Sequence, residues 1–106
     1  MSELDRLANQ HILESESHLR HIDELMAKAR EVQAKQQLEA QAAAELARLA
    51  HEHGRAAQEL RSLGGMPRPA TADTVARSEG VKGVLQKIGL ELEKALTAIG
   101  DKSGIY

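Results

Sequence analysis

The sequence predicts an all-α protein: an antiparallel helical hairpin (about 2–34 and 38–63) plus a third helix (about 74–99), bundle-like or coiled-coil-like. Three observations carry that prediction. Ala and Leu, with 17 and 14 copies, make up most of the apolar residues, whereas Phe and Trp are absent and Tyr occurs once. β-Branched and aromatic residues are too scarce for a sheet protein. From Ser2 to Leu63 there is no proline, and Gly54 is the only glycine. Finally, apolar residues recur at alternating steps of three and four, the spacing of one helical face.

The first helix opens with Ser2 as a cap and Glu3 and Asp5 in its first turn, where acids favour the positive end of the helix dipole. Its stripe runs through Leu4, Ala8, His11, Ser15, His18, Ile22, Leu25, Ala29 and Val32. A second stripe runs through Leu38, Ala42, Leu46, Leu49, His53, Ala56, Leu60 and Leu63. On one straight helix, at roughly 100° per residue, the second stripe falls nearly opposite the first. A turn near Ala34–Gln37 removes the mismatch and sets Leu25 against Leu46, Ile22 against Leu49 and His18 against His53. The competing reading is one unbroken helix about 90 Å long, since this stretch lacks Gly, Pro, Asn and Ser.

Gly64, Gly65, Pro67 and Pro69 stop the second helix, so 64–70 reads as a linker. Thr71 or Asp73 caps the third helix, whose stripe is Val81, Leu85, Ile88, Leu92, Leu96 and Ile99. Gly80, Gly83 and Gly89 interrupt it, each at a cost of roughly 1 kcal/mol against Ala. Gly100 reads as its end, leaving 101–106 as a flexible tail behind a single domain over 1–100. Leu13 and Leu90 fall on the opposite side of their helices from the stripes.

Composition also limits function. A net charge of −2, no stacking aromatics and only a short basic stretch argue against nucleic-acid binding. The absence of Cys excludes disulfides and thiolate chemistry. No apolar run approaches the roughly 20 residues that span a bilayer, and no signal peptide is visible, so the expectation is a cytoplasmic protein without a membrane partner. Neither a nucleophile elbow nor a phosphate loop is present, so no enzyme is expected.

The histidines are the chemically suggestive feature. His11, His18 and His53 occupy stripe positions where Leu is expected, and Glu14 lies one turn from both His11 and His18. Helix bundles build metal sites from Glu and His on facing helices. Glu14, His18 and His53, with His21 or Glu52 as a fourth ligand, form the candidate set, and imidazole with carboxylate suits Zn, Ni, Cu or Fe. The competing reading makes His11, Ser15, His18 and His53 a hydrogen-bonded polar layer that fixes register.

A core with few large side chains in so short a chain points to self-association. The expected function is therefore a small non-enzymatic interaction module: a scaffold, adaptor, chaperone or structural subunit. Its partners are a second copy, another helical protein, or both. Val81, Leu85, Ile88, Leu92, Leu96, Ile99 and Leu90 are the candidate interface residues.

Overall fold

A computed structural model describes residues 3–66 and 70–103, for 101–103 the backbone alone. Three helices follow one another: α1 over Glu3–Lys35, α2 over Ala40–Gly64 and α3 over Ala72–Ser103. They lie side by side in a bundle with extents of 52 × 20 × 16 Å. The long dimension matches a 33-residue helix at about 1.5 Å per residue. The hairpin is present, and the single long helix is not.

The α1–α2 turn falls slightly later than the sequence places it. α1 continues to Lys35, and the Gln36 amide still donates to the Val32 carbonyl. Glu39 then takes the cap position of α2 in an extended conformation, without a side-chain cap bond. Leu38 tucks against the core and anchors the connection. In a hairpin, moving the turn by two residues moves the facing position by about four. Asp23 accordingly stands where His18 was expected, with its Oδ1 2.8 Å from His53 Nε2.

α2 ends as the Gly65 amide donates to the Ser62 carbonyl and the Met66 amide to that of Leu63. Gly65 has φ −95°, so this turn does not use the left-handed conformation that glycine permits. Residues 67–69 of the expected linker lie outside the described residues. On its far side the Ala70 amide donates to the Asp5 carboxylate, which ties the start of α3 to the first turn of α1.

Thr71 caps α3 through a reciprocal pair of bonds. The Thr74 amide donates to Thr71 Oγ1 at 3.2 Å, and the Thr71 amide donates to Thr74 Oγ1 at 3.3 Å. This is the logic of a capping box with Thr in place of Glu or Gln. α3 passes Gly100 and continues to Ser103, so that glycine does not end the helix. One glycine costs about 1 kcal/mol against Ala, too little by itself to end a long helix. Of the expected tail, 104–106 lie outside the described residues.

The short second connection makes α3 antiparallel to α2, and therefore parallel to α1. Arg48 pairs with Glu91 and Arg77 with Glu59 across α2 and α3. Glu14 pairs with Lys82 and His21 with Glu93 across α1 and α3. α3 packs on both other helices, most extensively on α1, while α1 and α2 touch least. The core follows from that arrangement. Ile22, Leu49, Leu85, Ile88 and Leu92 are almost fully buried, with Met26, Leu46, Leu60, Leu63, Val81, Leu96 and Ile99 around them.

The glycines of α3 differ in what surrounds them. A Cβ on Gly89 would lie 3.8 Å from Ile22 Cγ1, an ordinary contact. Around Gly80 and Gly83 a Cβ would meet nothing. Gly80→Ala and Gly83→Ala should therefore each stabilise by about 1 kcal/mol. For a domain of this size the melting midpoint followed by circular dichroism should rise by roughly 4–8 °C per variant. An unchanged or lower midpoint would show that packing requires glycine at these positions.

Candidate functional site

The metal-site residues are dispersed among separate partners. His53 faces Asp23, as described above. His21 Nε2 lies 2.8 Å from Glu93 Oε1 on α3. Glu14 Oε2 accepts from Lys82 Nζ at 3.4 Å, and Glu52 Oε2 accepts from Arg48 at 2.8 Å. His18 is half-buried on α1. Among the described residues, no three His, Asp or Glu side chains are grouped to hold a metal ion. Glu14, His18 and His53, with His21 or Glu52, thus do not assemble into one donor set. The shifted turn is the physical reason, because it carries His53 down α1 toward Asp23 and away from the level of His18.

The expected polar layer does not hydrogen-bond within the protein through Ser15 Oγ or His11 Nδ1. Ser15 is fully buried, as is the Nδ1 atom of His11. His53 leans outward to an exposed carboxylate. What the histidines do instead is clasp helices: His53 joins α2 to α1, and His21 joins α1 to α3.

Charge is concentrated around Arg48. Its guanidinium donates to Glu45 at 2.6 and 3.2 Å, to Glu52 at 2.8 Å and to Glu91 at 3.0 Å, bridging α2 and α3. Hydrogen bonding to Arg48 holds the Glu45 carboxyl below its ordinary value. At Glu14 desolvation pushes the carboxyl up. Lys82, Gln10 and His11 together outweigh it, and the net direction is down.

A cleft of about 520 Å³ opens where the α1–α2 turn meets the last turns of α3. Leu38, Ala42, Ala95, Ala98 and Ile99 supply its apolar surface, while Gln36, Gln37 and Gln41 supply amides. Glu39 and Glu45 are its titratable groups, and Glu45 is engaged by Arg48. The cleft pairs no nucleophile with a base, so its chemistry is that of contact. Sequence reading missed it because it depends on where the turn falls and on the direction of α3, which helical periodicity does not encode.

The expected interface residues divide sharply. Val81, Leu85, Ile88, Leu92, Leu96 and Ile99 are buried inside the chain against α1 and α2, and so are not free for a partner. Leu90 alone of the seven is exposed, at 59%. Leu13 on α1 is exposed at 66% and Val84 on α3 at 49%.

Comparison with known proteins gives no family: no protein-family model, curated protein or solved structure matches the chain. No described helix is both long and apolar enough to cross a membrane.

The Arg48 cluster makes a prediction about acid. Because the folded Glu45 carboxyl sits below its unfolded value, its stabilisation is complete above the unfolded value and is lost as pH falls through the folded one. Urea midpoints measured at about pH 6 and about pH 3 should drop less in Arg48→Met than in the wild-type chain. Equal drops in the two proteins would show that Arg48 does not set the acid response.

Proposed function

We propose that this chain is a small non-enzymatic helical module that works by protein–protein contact, with a second copy of itself as the first partner. The observation that carries the reading is the exposure of Leu13, Leu90 and Val84, and to a lesser degree Leu4, outside the buried core. Single exposed leucines are ordinary. Here, however, both of the most exposed ones sit on the two helices that run parallel and pack most closely.

The apolar face of α3 is spent on internal packing, so association falls to the outer surfaces of α1 and α3. Lys87 and Lys94 flank Leu90 at positions i−3 and i+4, with Glu93 at i+3, while Glu16 follows Leu13 at i+3. Such rim charges chiefly affect specificity and association rate, and the leucines supply the buried area. Scaffold, adaptor, chaperone and structural-subunit roles all use contact of this kind. A cytoplasmic location remains part of the proposal.

Light scattering coupled to size exclusion, over a wide range of concentration, tests this directly. The wild-type chain should reach a multiple of its own mass, or elute with a bound helical protein identified by native mass spectrometry. Leu13→Lys with Leu90→Lys should keep the helical spectrum, and the midpoint that the wild-type chain shows at high dilution, but elute at the mass of one chain. A wild-type protein that stays at one chain mass throughout, with nothing bound, would overturn the proposal.

A further inference from the structure

We infer that the first half of α1, residues 3–18, is a strap that opens as one unit while the rest of the bundle stays folded. The inference does not depend on the association proposed above. It rests on how the core changes character along the bundle axis.

From Ile22 onward α1 buries Ile22, Met26, Ala29 and Val32 against Leu46, Leu49, Leu85, Ile88 and Leu92. Before Ile22 its fully buried residues are Ala8 and Ser15, with Ile12 and Leu19 half-buried beside the core. A buried alanine removes far less apolar surface from water than a buried leucine or isoleucine, so the strap's own side chains add little to docking, and most of its apolar gain comes from covering Leu60, Leu63 and Val81. The facing part of α3 buries Thr74 and Ser78, and the Ser78 hydroxyl is turned back onto its own helix at the Val75 carbonyl. α3 also carries Gly80 and Gly83 here, two residues that weaken a helix and have open space around them.

Two polar atoms act against closure. Ser15 Oγ and His11 Nδ1 are buried in the docked state without a hydrogen-bond partner in the protein, and bulk water reaches both when the strap lifts. The ties across this half include Lys82 to Glu14 at 3.4 Å and the Ala70 amide to Asp5. Further along, the clasps His21–Glu93 and His53–Asp23 are each 2.8 Å. Leu60 and Leu63 of α2 and Val81 of α3 are buried at this end of the bundle. An open strap uncovers them as a groove between two helices that remain paired through Arg77 and Glu59.

Native-state hydrogen exchange on the full chain reads the opening. Amides of 7–18 should exchange at one common rate, at least about tenfold faster than amides of 22–32 and 85–99, with a step near Leu19–Ile22. Ser15→Ala removes one unpartnered atom and should slow exchange in 7–18 several-fold while leaving 85–99 unchanged. A chain without cysteine also permits a second readout. A thiol placed by Leu63→Cys should be labelled by a soluble reagent at least about tenfold faster than one placed by Leu92→Cys. Three results would overturn the strap: equal protection throughout, a rate that declines smoothly from the N-terminus as in simple fraying, or equal labelling of the two thiols.

Discussion

The burial of one face of α3 against two helices at once is the constraint on which this fold rests. Each helix here has a single apolar stripe and needs a partner to cover it. α1 and α2 are joined by a short turn, yet they touch each other least. Leu85, Ile88, Leu92 and Leu96 fill the space between them, and these residues complete both interfaces. Without Phe or Trp, the core is assembled from Leu, Ile, Val, Met and Ala, so its continuity along α3 matters more than any one large side chain.

That arrangement explains which features could be read from the sequence. Three helices, their faces and most of their limits follow from residues whose effects are local: Thr71 at a cap, Gly64 and Gly65 at an end, Leu at every third or fourth position. The stripe of α3 was visible in the same way, and its residues are indeed buried. Its occupant was not visible, because an amphipathic stripe specifies that something covers it without specifying what. The structure covers it with α1 and α2 of the same chain, so six of the seven expected interface residues serve the core.

The histidines show the same limit more sharply. The stripe positions of His11, His18 and His53 follow from helical spacing, but whether His18 meets His53 depends on the turn. The stretch Gln36–Glu39 has no Gly, Pro, Asn or Ser to fix its position, and a displacement of two residues replaces His18 by Asp23 opposite His53. A metal set that requires Glu14, His18 and His53 at one level is lost through that displacement. Two interhelical imidazole–carboxylate clasps stand in its place. The cleft beside the turn and the weak half of α1 likewise emerge only once register and direction are known.

The central claim, that α3 holds the bundle together by its inner face while its outer face contributes nothing to the core, is tested by truncating two leucines on opposite sides of one helix. Leu92 is fully buried and Leu90 exposed. Urea denaturation at a concentration where the chain is monomeric should show Leu92→Ala destabilised by about 2–5 kcal/mol. Leu90→Ala should stay within about 0.5 kcal/mol of the wild-type chain. Comparable losses in the two variants, or a larger loss for Leu90→Ala, would contradict the account.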